Sequence, residues 1–179
     1  MKNKILIAAI AALGTFSAGI FAASDGDVGT TSTGTTDITL VVPDLVRISD
    51  LSDIDLGTYS GMGTETGNTD ACIFRNGAGT YTVTATTDKG DFRISRGAGG
   101  TAAEDIDFDA YWNDESGTTG RAALTYNTAL TTQSGANTAA IDCGGGTNAN
   151  FSVEIAAADM QTKNPATYEA TVTIVIAPE

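Results

Sequence analysis

The chain has 179 residues, with nine basic and 22 acidic residues, a formal net charge of −13 and no histidine. The absence of histidine from the sequence excludes histidine-based acid–base catalysis and histidine metal ligation. The strong negative charge argues against nucleic acid or an anionic membrane surface as a partner, since either would repel such a chain.

Residues 1–22 have the pattern of a secretory signal peptide. Lys2 and Lys4 precede an apolar run that ends in small residues, which is typical of a Sec-type leader removed after Ala22 or Ala23. A membrane anchor is the alternative, but the apolar run is only about 18 residues long and is interrupted by glycine, serine and threonine. We therefore expect an exported, soluble mature chain that meets the membrane only through its cleaved leader. Without the two lysines, that chain has seven basic and 22 acidic residues, a net charge of 7 − 22 = −15.

The stretch 28–48 follows the leader and alternates in polarity. One face carries Gly34, Thr36, Ile38, Leu40 and Val42, and the other carries Thr35, Asp37 and Thr39. This period of two predicts an extended strand with one apolar stripe. Pro43 should end the strand because proline has no N–H to donate, and residues 44–48 then begin the body. A half-apolar strand outside the body needs a cover, and we expect the next subunit to supply it.

The remaining chain is rich in glycine, threonine and valine, and the whole sequence has only three prolines. Such a composition is typical of β-structure with many turns. Alternating patterns predict strands at residues 53–59, 71–75, 80–87, 91–95, 106–113, 122–130, 150–155 and 167–178. Residues 60–70 are expected to form a polar loop and residues 156–160 a single helical turn. Short strands separated by turn signals, without a sustained helical period, indicate one all-β domain, a sandwich or a barrel.

Cys72 and Cys143 are the two cysteines of the sequence. In an exported chain a disulfide is the default, and it would close a loop of about 70 residues. The alternatives are a metal pair or a reactive thiol. Two cysteines without histidine make a poor metal site, and no flanking base activates either thiol.

Two carboxylate clusters are the candidates for a catalytic or metal site: Asp50, Asp53 and Asp55, and Asp105, Asp107 and Asp109. The second set has the period of a strand and is expected to line a solvated face. A glycosidase pair needs a deep cleft. The candidate calcium sites are Asp25 with Asp27, and the cluster Asp50, Asp53 and Asp55, and neither has the twelve-residue spacing of a strong calcium loop. Trp112 shares a face with Ile106 and Phe108, which favours the core over a sugar-binding platform. We therefore expect no enzymatic activity, no catalytic residues, and no metal or other cofactor.

Three segments carry a resemblance to a known family. They are STGTTDITLVV at residues 32–42, IDLGTYSG at residues 54–61 and PATYEATVTIVI at residues 165–176. In this order they resemble subunits of bacterial chaperone–usher fimbriae, in particular the archaic and alternate types that share a fold with the spore coat protein U family. The chain departs from many such subunits in the position of its first cysteine, which they place near the end of the first strand.

The resemblance implies an incomplete, immunoglobulin-like sandwich of pilin type with an N-terminal donor strand. It divides the chain into a signal peptide (1–22), a donor-strand arm (23–43) and a pilin-like domain (44–179). The donor face would be Gly34, Thr36, Ile38, Leu40 and Val42, and the border of the acceptor groove would be Tyr168, Val172, Ile174 and Ile176. The implied partners are further copies of the chain, a periplasmic chaperone and an outer-membrane usher. The implied place of action is a fibre on the cell surface, which serves adhesion or biofilm formation.

Two other functions compete with a fibre subunit. The first is a monomeric or matrix-associated secreted β-sandwich in which residues 28–42 fold back onto their own body. The second is a secreted hydrolase or carbohydrate-binding module. In the secreted sandwich the chain's own body covers the N-terminal strand, whereas in a fibre subunit the next copy covers it. A hydrolase or carbohydrate-binding module would instead be stabilised by a glycan ligand.

Overall fold

The computed structural model describes residues 23–97 and 102–179, and the predicted signal peptide lies outside them. The chain divides into two compact units, Met1–Val42 and Pro43–Glu179. The division into leader, arm and body drawn from the resemblance, with its last boundary after Pro43, stays a prediction. In the described part of the chain, no helix is both long and apolar enough to cross a bilayer.

The described part of the first unit closes on itself through Ser24 and Thr35. Their backbones exchange two hydrogen bonds of 3.0 and 3.1 Å, and their hydroxyl oxygens lie 2.8 Å apart. Residues 36–42 form no strand, and the side chains of Ile38 and Leu40 are 92% and 83% exposed. A strand is held by hydrogen bonds to a neighbour, so an extended arm becomes one only when a second strand lies beside it.

The described residues of the second unit form eleven strands and a single α-helical turn. In chain order the strands are β1 (Val46–Ser49), β2 (Glu65–Arg75), β3 (Tyr81–Thr87), β4 (Arg93–Arg96), β5 (Ile106–Asp107), β6 (Asp109–Asn113), β7 (Ala122–Ala123), β8 (Leu130–Gln133), β9 (Ala149–Ile155), β10 (Tyr168–Glu169) and β11 (Val172–Pro178). The helical turn α1 (Ala157–Met160) lies between β9 and β10, where the sequence predicts it.

These strands form an immunoglobulin-like β-sandwich in which every strand pair is antiparallel. One sheet has the order β1-β2-β9-β6-β7. The facing strands form two smaller sheets, β11-β3-β8 and β10-β4-β5. β11 runs beside β3 from Val172, opposite Thr87, to Pro178, opposite Tyr81. The last long strand of the chain therefore lies at the edge of its sheet, with β3 on one side only.

The core lies between the layers and follows the predicted alternation. On β5, β6 and the residue between them, Ile106, Phe108, Ala110 and Trp112 are buried, whereas Asp107 and Asp109 are exposed. Trp112 is fully buried, and its indole Nε1 donates to the Tyr81 hydroxyl at 3.4 Å. The prediction that Trp112 belongs to the core is thus confirmed. Apolar side chains on alternate residues of paired strands are sufficient to build this interior.

The structure corrects three expectations about individual segments. The expected polar loop at 60–70 is wrong over most of its length, because β2 begins at Glu65. The expected strand at 53–59 is an irregular segment instead, and Gly57 has φ of +71°, which ends any extended run. The expected strand at 122–130 is reduced to the short β7 and the first residue of β8. A turn with φ of +52° at Asn127 separates them.

Candidate binding groove

An apolar groove lies beside the free edge of β11. Its cavity has a volume of about 330 Å³ and opens between β11 and the irregular segment 51–56. One wall carries Leu51, Ile54 and Leu56, the other carries Ala170, Val172 and Ile174, and the floor is Ile94, Phe108, Phe151, Val153 and Ile155. The floor residues belong to the sandwich interior. The groove is thus a place where the core of the sandwich opens to the surface along one strand.

The hydrogen-bonding pattern of β11 leaves its outer edge open. The Asp88 N–H donates to the Thr171 carbonyl at 3.1 Å, and the Glu179 N–H donates to the Thr80 carbonyl at 3.0 Å. Along an antiparallel pair, residues that bond the neighbour alternate with residues that point away from it. Val172, Ile174 and Ile176 therefore turn both backbone groups away from β3, toward the groove side. A row of free N–H and C=O groups beside an apolar groove is a template for another extended chain.

The opposite wall is held to β2 by side chains instead of a strand ladder. The Ser52 N–H donates to the Thr69 hydroxyl at 2.9 Å, and the two hydroxyl oxygens lie 3.0 Å apart. Further along the segment, the Gly57 N–H donates to the Asp55 carboxylate at 2.8 Å. Because side chains satisfy these backbone groups, the segment lies along the groove without becoming a strand.

Gly67 gives this wall its position. A Cβ atom at residue 67 would lie 2.3 Å from Cγ2 of Ile54 and 2.7 Å from Cδ2 of Leu56, both far inside contact distance. Only glycine lets these two side chains lie directly on β2. Sequence reasoning missed this residue, since a glycine in a polar, glycine-rich stretch carries no signal that distinguishes it from its neighbours.

A second feature lies where the body begins, and we call it the arm clasp: Arg75 and Asn76 holding Pro43–Leu45. The buried guanidinium of Arg75 donates to both carboxylate oxygens of Asp44, at 3.1 and 2.6 Å. The Asn76 amide donates to the Pro43 carbonyl at 2.7 Å, and its oxygen accepts from the Leu45 N–H at 2.8 Å. Three successive residues at the root of the arm are thereby fixed to the end of β2.

The same guanidinium connects the clasp to β11. Arg75 also donates to the carbonyls of Thr80 and Glu179, the latter at 3.3 Å. The hydrogen bond from Arg75 lowers the pKa of Asp44 below its ordinary value, and the same pair raises the pKa of Arg75. Sequence reasoning missed the clasp because an arginine at the end of an apolar strand shows its partner only once the chain has folded.

The predicted groove residues take different places. Val172 and Ile174 line the cavity, and Ile176 packs against the core beyond the cavity's end. Tyr168 lies on β10, which pairs with β4, and its hydroxyl donates to the Asn164 carbonyl at 2.8 Å. The five predicted donor residues (Gly34, Thr36, Ile38, Leu40 and Val42) are all exposed.

The predicted disulfide between Cys72 and Cys143 is confirmed. The sulfur atoms are 2.06 Å apart, and the bond joins residues 71 apart in sequence. Cys72 is fully buried on β2, opposite Ser49 of β1, whereas Cys143 lies in a short 3-10 turn. The bond ties the loop before β9 to the strand that carries the arm clasp.

The acidic residues do not form a metal site within the described part of the chain, where no group of three or more potential ligands is arranged to hold an ion. Asp107, Asp109, Glu154 and Asp159 line a shallow second cavity of about 80 Å³. Asp53 belongs to the groove wall, and Asp55 caps its own turn. These carboxylates thus face solvent, accept hydrogen bonds in turns or form ion pairs with nearby arginines.

The fold defines the class of this protein as an all-β, immunoglobulin-like sandwich. No protein family and no curated protein matches the chain. Among solved structures, it is similar to a chain from the work titled "Chaperone-tip adhesin complex is vital for synergistic activation of CFA/I fimbriae biogenesis". The TM-score is 0.53 at 14% identity, and the match covers 75% of this chain but only 42% of that one. The likeness is therefore one of fold.

Proposed function

We propose that this chain is a structural subunit of a bacterial surface fibre, polymerised by donor-strand complementation and serving adhesion or biofilm formation. The observation that carries the proposal is the open edge of β11 beside an apolar groove of about 330 Å³. The same chain has an exposed arm with an apolar side chain at every second position from Ile38 to Val42. A strand from one copy would supply what the sandwich of the next copy lacks.

The energetics of such an exchange are favourable. Burying the three large apolar side chains of the donor face removes about 300–400 Å² of apolar surface from water, worth about 8–10 kcal/mol before entropy costs. Backbone hydrogen bonds to Val172, Ile174 and Ile176 would add to this, at about 1 kcal/mol each. A donor strand leaves only when the whole ladder breaks, so dissociation should be slow.

A subunit with an open apolar groove needs a partner that covers the groove before assembly. We propose that a periplasmic chaperone covers the open groove and that an outer-membrane usher hands the subunit to the growing fibre. The similarity to a chain from work on a chaperone–adhesin complex supports the chaperone as a partner. We propose no catalytic role and no cofactor, and we place the mature chain on the cell surface or outside the cell.

A charge on the donor face tests the proposal. Leu40→Asp should abolish fibre formation, because seating a carboxylate in an apolar groove costs several kcal/mol, or about 100-fold or more in affinity. Thr39→Asp is the matched control, since its side chain lies on the opposite face of the same strand and should leave assembly close to wild type. Fibres would be followed by negative-stain microscopy and sedimentation. Fibres of normal yield from Leu40→Asp would contradict donor-strand assembly.

A further inference from the structure

The chain between the arm and β2 lies at the margin of the body. β1 is the edge strand of the five-stranded sheet, with β2 as its neighbour. After β1 the chain continues irregularly, through the groove wall at residues 51–56, until β2 begins at Glu65. We call residues 46–64 the edge segment. Because of this order along the chain, a pull on the arm reaches the edge segment before it reaches β2.

The strand β2 is held far more firmly than the edge segment. It is paired with β1 on one side and with β9 on the other, from Glu65 to Ala71. The disulfide joins Cys72 of β2 covalently to Cys143 in the loop before β9. Proteins open locally in cooperative units, and units with few buried contacts open first. The edge segment is therefore the unit that tension on the arm would detach from the sandwich.

Detachment of the edge segment would remove one wall of the groove. Ile54 and Leu56 belong to this segment and line the groove opposite β11. Hydrogen bonds from the Ser52 N–H and hydroxyl to the Thr69 hydroxyl fix the wall to β2. A strand seated in the groove would lose its apolar contacts on that side. Tension on a copy's own arm would thus weaken its hold on the arm of a neighbouring copy.

The arm clasp lies ahead of the edge segment along the chain. The side chain of Asn76 bonds the Pro43 carbonyl and the Leu45 N–H, and the Asn76 N–H donates to the Leu45 carbonyl at 3.1 Å. Arg75 adds the ion pair with Asp44, in which the guanidinium is buried. Arg75 is the last residue of β2, and Asn76 follows it. Tension on the arm therefore meets these bonds first and passes through them to β2, without reaching β1 or the groove wall.

We infer that the arm clasp is a mechanical latch, which transfers tension on the arm to β2 and so keeps the groove wall in place while the copy is pulled. This inference rests on the proposed function, in which each copy is held by its own arm and holds the arm of another. It adds a coupling between these two attachments, since a copy whose clasp opens loses the edge segment and loosens its groove. Arg75 and Asn76 act here as positioning residues, because they hold the root of the arm and do not line the groove.

Trypsin measures detachment of the edge segment in the single mature chain. Arg47 on β1 is the only basic residue between residue 23 and Arg75, so cleavage after it reports the release of β1. Asn76→Ala removes both side-chain bonds to the root. We expect about tenfold faster cleavage after Arg47, identified by mass spectrometry, because proteolysis follows the population of the open form.

Ser116→Ala is the matched control for the trypsin experiment. It also removes side-chain hydrogen bonds, to Thr147, and both residues lie outside the edge segment. Cleavage after Arg47 should proceed in this control at the wild-type rate. Equal rates in Asn76→Ala and the wild type would overturn the latch.

Force-clamp measurements on fibres test the coupling itself. Detaching residues 43–64 lengthens the chain by at most about 80 Å, so each opening gives a step of up to that size. At the same force, Asn76→Ala fibres should show these steps after about a tenth of the time that wild-type fibres need, and they should break correspondingly earlier. Ser116→Ala fibres should behave as the wild type. An unchanged lifetime of Asn76→Ala fibres would overturn the coupling.

A disulfide between β1 and β2 provides the converse variant. Arg47 and Phe74 are opposite one another in the antiparallel register, where Cα atoms lie about 4.5–5.5 Å apart, within reach of a disulfide. Adding Arg47→Cys/Phe74→Cys to the Asn76→Ala chain should suppress the steps and restore the wild-type lifetime, whereas adding Arg47→Cys alone should not. A lifetime that stays short with the disulfide formed would show that loss of the edge segment is not what breaks the fibre.

The fibre experiments separate the latch from the proposed function. If the wild-type chain forms fibres whose lifetime the clasp does not affect, the latch fails and the proposed function stands. If the wild-type chain forms no fibres, the proposed function fails, and the latch fails with it.

Discussion

Asp44 is the residue through which the arm meets the body. Its side chain is 44% exposed, whereas the side chain of its partner Arg75 is only 6% exposed. A buried guanidinium requires its partners, since an unpaired charge in the interior is costly. The carboxylate of Asp44 and the carbonyls of Thr80 and Glu179 supply them. One arginine thus links the root of the arm, the end of β2 and the end of β11.

The lowered pKa of Asp44 makes the clasp sensitive to acid. The folded protein holds this carboxylate ionised to a lower pH than the unfolded chain does, because Arg75 donates hydrogen bonds to it. Its stabilising contribution is therefore present above the ordinary aspartate pKa of about 3.9 and is lost as the pH falls through the lowered folded value. Asp44→Asn should lower the melting temperature at pH 7 and make little difference near pH 2.

A matched carboxylate provides the control for Asp44. Glu115 lies exposed in the loop after β6, and Glu115→Gln should leave the melting temperature unchanged at both pH values. Thermal unfolding followed by circular dichroism would measure both variants. An Asp44→Asn variant as stable as wild type at pH 7 would show that the ion pair contributes nothing to the fold.

The segment 51–56 and the strand β2 act as one element at the groove. The segment lies flat on β2 only because residue 67 has no side chain. Gly67→Val should push Ile54 and Leu56 outward, cost about 1–3 kcal/mol of stability and narrow or distort the groove. We expect slower fibre assembly at matched concentration, measured by light scattering.

Thr66→Val separates a local groove effect from a general strand effect. Thr66 is exposed on the same strand, and its side chain points away from the groove wall. The control should leave assembly near wild type, or raise stability slightly, since valine favours strands. Equal loss of assembly in both variants would mean that Gly67 has no special role at the wall.

The disulfide is an element of its own, joining β2 to the loop before β9. It closes a loop of 71 residues, for which the loop-entropy model gives about 4 kcal/mol of stabilisation. Cys72→Ala/Cys143→Ala should therefore shift the denaturant midpoint of unfolding strongly downward. Dithiothreitol should destabilise the wild type to a similar degree and leave the double variant unaffected. A denaturant midpoint that neither the double substitution nor dithiothreitol changes would show that the disulfide does not stabilise the fold.

At the scale of the whole molecule, alternation of polarity was enough to predict the sandwich but not the shape of its groove. The faces of β6 and β11 were predictable because their inward-facing apolar side chains follow the period of two, as Trp112 and Ile174 do. The first half of β2, from Glu65, was not predicted because its glycine, asparagine and threonine residues are typical of loops. The arm clasp depends on contacts between residues 31 positions apart, which no local pattern contains. Local periodicity therefore predicts the sheets of the sandwich, whereas tertiary contacts determine where the groove between them opens.

Charge acts on the assembly as a whole. Without Lys2 and Lys4 the chain has seven basic and 22 acidic residues, so two copies that exchange arms carry a net charge of about −15 each and repel one another. The arm itself carries Asp37 on the face opposite its donor residues. Salt shortens the reach of this repulsion from about 30 Å at 0.01 M to about 8 Å at 0.15 M.

Fibre assembly of the mature chain should therefore accelerate as sodium chloride rises from 0.01 to 0.15 M, by about tenfold, since electrostatic effects on association rates reach that size or more. The initial rate of light scattering would measure it, and sucrose at matched osmolality is the control for excluded-volume effects. The rate should be insensitive to sucrose at these low concentrations. Assembly that slows with salt would instead mean that attraction between opposite charges brings the copies together, because screening weakens attraction and repulsion alike.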